Sequence, residues 1–176
     1  MPGTDFLRAG FIFAGLFVLA SSTAANAETQ KNFTVSAVIA TGCSIATNAG
    51  GRWGDINLGT VGGLASGTVE ADLLNGVATG IQLDCTPGTS VSVSADTGDH
   101  AVAGVRQLAH STVGSSLIAY QLFANGGTTP WTTQTMGLSF PVGTSHLQLP
   151  VRAKATLAAP MRGGAYSDTV RVTVTW

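Results

Sequence analysis

The chain carries little charge and no concentration of either sign. Only 10% of its 176 residues are Asp, Glu, Lys or Arg, and the formal net charge is −1. Binding to a nucleic-acid backbone needs a basic patch, which the sequence lacks, so nucleic acid is not expected as a partner. Acidic tails and runs of like charge are missing too. Such sparse charge suits a secreted β-protein, and equally a subunit that buries much of its surface in an assembly.

Long hydrophobic runs are also scarce. The one such run, "AGFIFAGLFVLA" (Ala9–Ala20), is short for a bilayer span, which takes about 20 residues. It follows Arg8 and precedes "ANA" (Ala25–Ala27), which fits the small-x-small rule for signal cleavage. We therefore predict a secretory signal peptide over residues 1–27, with a membrane anchor as the alternative. The chain after residue 27 is expected to be soluble once exported.

Motifs that carry catalysis or cofactor binding are lacking. No G-x-S-x-G elbow occurs, and the glycine-rich Gly59–Gly63 is not followed by the Lys-Ser/Thr of a phosphate-binding loop. The three histidines, His100, His110 and His146, have no ligand-like spacing and stand among loop-type residues, so they are predicted to be solvated. We assign no catalytic, cofactor or metal residue, and predict neither an enzyme nor a small-molecule substrate.

Cysteine is limited to Cys43 and Cys85, both in the part predicted to be exported. An even number of cysteines in an oxidising compartment favours a disulfide. A metal site and two free thiols remain the alternatives, although a metal would need more ligands at close spacing.

Aromatic residues make up only 7% of the chain. Their simplest interpretation is as core or corner residues, Trp131 among them. The alternative is a carbohydrate-binding platform at Trp131, which stands beside Pro130 in a predicted loop. That alternative implies a small secreted carbohydrate-binding module or hydrolase that folds alone as a stable monomer.

Period-2 alternation of apolar and polar residues is abundant. It runs through Phe33–Cys43, Ile81–Cys85, Ser90–Asp96, Leu117–Asn125, His146–Leu157 and Thr169–Trp176, with glycine-rich turns between the segments. Alternation of this kind is typical of half-buried strands, and many short strands separated by turns favour an antiparallel sandwich. The Leu117–Asn125 segment is apolar on both faces, which predicts a central, well-covered strand.

Two of these strands stand at the ends of the exported chain without a hairpin partner beside them. One presents Phe33, Val35, Ala37 and Ile39, and the other presents Val170, Val172, Val174 and Trp176. In one interpretation the two strands pair inside a single sandwich. In the other, the N-terminal strand of one copy fills a groove beside the C-terminal strand of the next copy, by β-strand addition.

Four segments of the chain form an ordered set of motifs: "FTVSAVIATGCSI" (Phe33–Ile45), "IQLDCTPG" (Ile81–Gly88), "LIAYQLFAN" (Leu117–Asn125) and "GGAYSDTVRVTVTW" (Gly163–Trp176). In the same order they resemble the motifs of the spore coat protein U domain family, which includes subunits of archaic chaperone–usher pili. The last resembles the family's closing signature, and the third its tyrosine-containing strand. Together the four span most of the exported chain.

The resemblance implies an all-β, incomplete immunoglobulin-like sandwich that lacks its last strand and is completed by a donor strand from another molecule. Residues 28–40 would form the donor segment and residues 41–176 the pilin domain. Phe33, Val35, Ala37 and Ile39 would be the donor residues. Cys43 and Cys85 would be the disulfide. The acceptor-groove and chaperone-contact strand would present Val170, Val172, Val174 and Trp176 toward the core.

The implied partners are a periplasmic pilus chaperone, an outer-membrane usher and other copies of the chain or related pilins. The implied location is the periplasm during transit and then a pilus at the cell surface, where it would support adhesion and biofilm formation. A secreted structural coat protein of the same fold is the alternative within the family, and the carbohydrate-binding module is the alternative outside it.

Overall fold

The computed structural model describes residues 30–176, so the signal peptide predicted for residues 1–27 lies outside the described part. The chain divides into two compact units, Met1–Ala37 and Val38–Trp176. In the first unit, residues 30–37 contain no strand, and the side chains of Phe33, Val35 and Ala37 are exposed. The strand predicted here is not formed, because a strand is stable only when a neighbour pairs with its backbone N–H and C=O groups.

The second unit is built from short strands. In its first residues, 38–42, no strand forms and Ile39 is exposed. The strands are β1 (Cys43–Ile45), β2 (Asp55–Ile56), β3 (Gly67–Asn75), β4 (Ala78–Thr79), β5 (Ile81–Cys85), β6 (Ser90–Ala95), β7 (Gln107–His110), β8 (Leu117–Ala124), β9 (Met136–Ser139), β10 (His146–Leu149), β11 (Val151–Leu157), β12 (Tyr166–Ser167) and β13 (Val172–Thr175). Over residues 30–176, no helix is long and apolar enough to cross a membrane.

The strands form three antiparallel groups. The largest has the order β12-β7-β8-β11-β3-β2, and β4 also pairs with β3. The two smaller groups have the orders β1-β5-β10 and β13-β6-β9. Inward-facing residues of all three groups share one core, whose largest fully buried side chains include Phe140, Ile81, Leu83 and Leu149. The antiparallel all-β architecture predicted from the alternation is confirmed.

The strand β8 is central, as predicted, since it pairs with β7 on one side and β11 on the other. Its buried face carries Ile118, Tyr120 and Leu122. Its other face is less covered than the apolar pattern predicted, because Leu117 and Gln121 on that face are exposed.

The long alternating segment His146–Leu157 is two strands rather than the single strand that its alternation suggests. Pro150 separates them and has no N–H to give to a ladder. The part before Pro150, β10, pairs with β5, whereas the part after it, β11, pairs with β8 and β3. The proline therefore marks the point where the chain passes from one group of strands to another.

The disulfide joins Cys43 on β1 to Cys85 on β5, which confirms that prediction. The two residues are direct partners in the β1–β5 ladder. Only three residues of β1 pair with β5, so the cross-link fastens a short edge strand to the core.

Candidate functional site

A deep groove opens into the core of the second unit. Its volume is about 1010 Å³, and it is lined by residues between Gly51 and Val172. Residues of two strands form the floor of the groove, and two segments with little regular secondary structure form its walls. This volume is large for an 18 kDa β-sandwich, whose interior is normally filled by its own side chains.

The floor comes from the inward-facing positions of β8 and β11. The ladder between these strands places Ala153 opposite Leu122 and Ala155 opposite Tyr120. All four residues line the groove. The alanines on β11 are the smallest side chains of the floor, and both residues are at most 3% exposed. The floor is thus apolar.

The first wall is the stretch 51–63, which β2 attaches to the edge of β3. Trp53, Ile56 and Leu58 from this wall pack against the core. Gly54 allows the close approach to β3, because a Cβ at this position would lie 2.6 Å from the carbonyl oxygen of Leu74. The wall therefore lies against the large sheet at one end of β3 and borders the groove with apolar side chains.

The second wall is the stretch 161–172 at the other side of the floor. Two antiparallel pairings hold it in place, one between Tyr166–Ser167 and β7 and the other between β13 and β6. Between these two ladders, Val170 turns a partly buried side chain toward the groove, as does Val172 at the start of β13. At one point the two walls meet, since the amide of Met161 donates a 2.8 Å hydrogen bond to the carbonyl oxygen of Gly63.

The predicted acceptor residues are therefore only partly on the groove. Val170, Val172 and Val174 face the core, but Val174 lies beyond the lining residues. Trp176 does not face the core as expected and is 58% exposed. The reason lies in the register, because the last pair of the β13–β6 ladder is Thr175 with Ser92, and Trp176 extends past it.

His110 corrects the prediction that the three histidines are solvated, because it is buried at the end of β7. Its Nε2 lies 3.0 Å from the carbonyl oxygen of Gly163, and its Nδ1 accepts hydrogen bonds from the backbone N–H groups of Thr112 and Val113. Its ring also packs edge-on against Tyr166. His110 thus stabilises the second wall through its contacts with Gly163 and Tyr166.

The other two histidines are more exposed, and each pairs with a carboxylate. His146 begins β10 and places Nδ1 2.8 Å from Asp84 Oδ1, with both side chains more than half exposed. His100 places Nδ1 2.9 Å from Asp168 Oδ1, and the Asp168 side chain is almost fully buried. Only this second pair adjoins the groove, since Asp168 is one of its lining residues.

A buried cation lies behind the groove. Arg106 is 5% exposed and donates hydrogen bonds to the carbonyl oxygens of Asp96, Trp131 and Thr132. Burial lowers the pKa of its guanidinium, and the nearby Tyr120, Asp96 and Asp168 oppose that shift. Burial also raises the pKa of Tyr120, and its hydrogen bond to Asp168 raises it further. Tyr120 therefore remains a protonated hydrogen-bond donor.

Trp131 is a core residue, as its simplest interpretation predicted. It is 3% exposed, and its indole N–H donates to the carbonyl oxygen of Gln134. It does not offer the exposed face that a carbohydrate platform needs. Across residues 30–176, no group of three or more His, Cys, Asp or Glu side chains is arranged to hold a metal ion.

Sequence reasoning missed the floor of the groove and Asp168. The two floor alanines, Ala153 and Ala155, were visible only as inward positions of an alternating strand. Asp168 was visible only as one letter of the C-terminal motif. A signal for Asp168 existed, because it is the one charged residue within residues 163–170.

A comparison with protein-family models matches residues 29–173 to the Spore Coat Protein U domain. The chain belongs to this family. The match covers the groove, both of its walls and the disulfide. No curated protein shows a significant match to the chain.

Solved structures give a second comparison for this Spore Coat Protein U domain. One is the crystal structure of the CsuC–CsuE chaperone–tip adhesion subunit pre-assembly complex from archaic chaperone–usher Csu pili of Acinetobacter baumannii, at a TM-score of 0.51 and 20% identity, covering 78% of this chain and 40% of that chain. Another is a chaperone–tip adhesin complex of CFA/I fimbriae biogenesis, at a TM-score of 0.48 and 18% identity, covering 76% of this chain and 41% of that chain. The chain thus spans about 40% of the length of each. The first likeness indicates a shared immunoglobulin-like fold.

Proposed function

We propose that this domain is a structural subunit of an archaic chaperone–usher pilus and that it polymerises by donor-strand exchange. The carrying observation is the groove, which is bordered by two walls and floored by apolar side chains. Its occupant in the polymer is the segment 28–40 of another copy of the same chain. Membership of the Spore Coat Protein U domain family supports the proposal.

The proposed donor segment has the chemistry that the groove requires. Phe33, Val35, Ala37 and Ile39 would share one face of the segment once it is extended, and all four are exposed in the described structure. Burying these side chains contributes on the order of 6 kcal/mol, and backbone hydrogen bonds to the walls add to it. The second wall spans residues 161–172, about the length of the donor segment.

The partners follow from this mode of assembly. A periplasmic chaperone would occupy the groove during transit, and an outer-membrane usher would exchange it for the donor segment of the next subunit. The segment 1–27 would direct export, and the finished polymer would stand at the cell surface and support adhesion and biofilm formation. No catalytic step is part of this function.

The test is to delete residues 28–40 while keeping the export segment. The truncated protein should be exported and bind the chaperone. It should form no fibres in electron micrographs and no ladder of heat-labile oligomers on a gel. Because a deletion also changes the length, Val35→Asp should reproduce the defect, and Ser36→Asp, on the opposite face, should polymerise normally. Fibres from the truncated protein would refute the donor assignment, and a stable full-length monomer that never polymerises would refute the function.

A further inference from the structure

The second wall of the groove crosses from one sheet to another at its centre. Tyr166 and Ser167 belong to the ladder with β7, and Val172 opens the ladder with β6. Residues 168–171 lie between these ladders, and all four line the groove. Residues 168–171 are therefore part of neither ladder, although the carbonyl oxygens of Thr169 and Arg171 accept hydrogen bonds from the N–H groups of Asp99 and Asp96.

A buried carboxylate is one of the groups that hold this crossing, and the Asp96 side chain, which accepts a hydrogen bond from the N–H of Arg171, is another. Asp168 Oδ2 accepts a 2.6 Å hydrogen bond from the phenol of Tyr120 on β8. Asp168 Oδ1 accepts a 3.1 Å hydrogen bond from the backbone N–H of His100 and lies 2.9 Å from His100 Nδ1. The side chain is 1% exposed. Asp168 thus ties the wall both to the floor of the groove and to the loop that follows β6.

The loop around His100 is shaped to admit this carboxylate. Gly98 has a φ of +83°, and a Cβ placed on it would overlap Asp168 Oδ2. The N–H of Gly98 bonds to Asp96 within the same loop. A residue with a side chain is therefore excluded at position 98 both by backbone conformation and by space, and the space is taken by Asp168.

The carboxylate of Asp168 is buried, and no Arg or Lys within residues 30–176 forms a direct ion pair with it. A buried carboxylate is costly unless hydrogen-bond donors surround it. Tyr120 and His100 supply those donors, and the buried guanidinium of Arg106 interacts with Asp168 electrostatically. Because the donors come from a floor strand and from a neighbouring loop, they hold the carboxylate and its backbone in one place.

The geometry points to Asp168 as a positioning residue for donor-strand uptake. Asp168 fixes the backbone conformation of residues 168–172 before the donor strand binds. The donor strand then pairs with backbone that is already ordered. Once the donor is in place, its own backbone hydrogen bonds hold the same stretch, and the contribution of Asp168 falls. This inference rests on the proposed function.

The test compares the rate of uptake with the stability of the filled groove. Exported full-length chain is mixed with an excess of fluorescent peptide of residues 28–40, and uptake is followed by anisotropy. Asp168→Ala should slow uptake by about tenfold, the loss expected for buried hydrogen bonds to a charged group. Asp168→Asn, which can still accept from Tyr120, should slow it less. The thermal midpoint of the peptide-filled protein should change little in both.

The chain offers a matched control in its other Asp–His pair. Asp84→Asn alters a carboxylate at a similar distance from a histidine but on β5, outside the groove lining. It should take up the peptide at the wild-type rate. If Asp168→Ala does not fold, Tyr120→Phe serves instead, since it removes only the donor hydroxyl and keeps the ring that lines the groove. It should slow uptake severalfold.

The outcomes separate the two proposals. Peptide uptake by wild type that is unchanged in the Asp168 and Tyr120 variants overturns the positioning role and leaves the proposed function intact. A loss of uptake rate matched by an equal loss in the stability of the filled protein also overturns it, because that pattern indicates a general structural role. No uptake by the wild-type chain overturns both.

Discussion

The phenol of Tyr120 donates a 2.6 Å hydrogen bond to the buried carboxylate of Asp168, 48 residues further along the chain. The first residue belongs to the central strand β8 and the second to the stretch that leads into β13. Two motifs of the sequence, "LIAYQLFAN" and "GGAYSDTVRVTVTW", are thereby joined in space. The bond connects the floor of the groove to its second wall, which makes both motifs parts of one site.

Removal of the disulfide should destabilise the domain but leave the groove able to bind a donor strand. Cys43 and Cys85 are 42 residues apart, and a cross-link of that length restricts the unfolded chain by about 4 kcal/mol. The double variant Cys43→Ser/Cys85→Ser should lose about this much in free energy of unfolding, measured by urea titration. Reductant should lower the wild-type midpoint and leave that of the double variant unchanged. A wild-type midpoint insensitive to complete reduction would contradict this account.

Much of the architecture followed from the sequence because alternation is a local property. The strands β5, β6, β8 and β13 could be predicted from their own residues. The disulfide could be predicted from two cysteines in a part of the chain that was expected to be exported. The two walls could not, because their conformation depends on distant groups. The stretch 161–167 is set by His110 and by the pairing of Tyr166 with it, and the stretch 51–63 by its approach to β3. The burial of His110 likewise follows from Gly163 and Gly164, which no pattern near residue 110 reveals.

Two adjacent glycines in the second wall should differ sharply in their tolerance of alanine. A Cβ at Gly164, whose φ is +148°, would overlap the ring of His110, whereas a Cβ at Gly163 would meet nothing within 4 Å. Gly164→Ala should therefore lower the free energy of unfolding by about 2–3 kcal/mol. Gly163→Ala should cost less than about 1 kcal/mol. Thermal unfolding followed by circular dichroism measures both, and equal losses would show that His110 does not pack on this wall.

Asp96 should make stability fall in acid. Burial opposes its ionisation, but the N–H groups of Arg171 and Gly98 donate to its carboxylate and the Arg171 guanidinium lies nearby, so its pKa is lowered on folding. A carboxyl group with a lowered folded pKa contributes stability above its unfolded pKa, about 3.9, and loses it as the pH falls through the folded value.

The corresponding measurement is the urea midpoint as a function of pH. Wild type should lose stability as the pH falls from about 4 toward 2. Asp96→Asn should be less stable than wild type at pH 7 and should show a flatter acid limb. Asp84→Asn, on another sheet, serves as the comparison. If the urea midpoint of Asp96→Asn falls in acid as steeply as that of wild type, the pH dependence belongs to other carboxylates. Glu70 is one of these, because its hydrogen bond to Lys154 lowers its pKa.

Filling the floor of the groove should block assembly from the acceptor side. Ala155 lies on the inward face of β11 opposite Tyr120, lines the groove and is 1% exposed. Ala155→Leu should add three carbons on the groove side of this strand, cost about 1–3 kcal/mol of stability through overpacking, and abolish donor uptake. Thr156→Leu adds a comparable apolar side chain on the outward face of the same strand and should leave uptake intact.

Mixing the variants identifies which surface has failed. A chain with Ala155→Leu keeps its own donor segment, so it should still add to the groove of a wild-type subunit and then prevent further growth from its own filled groove. Added in small amounts to wild type, it should shorten fibres in proportion to its fraction. Val35→Asp keeps its groove but has a defective donor segment, so it should not add to the groove of a wild-type subunit. Fibres of undiminished length containing Ala155→Leu would show that the donor lies elsewhere, since a strand cannot occupy a groove that a fixed side chain already fills.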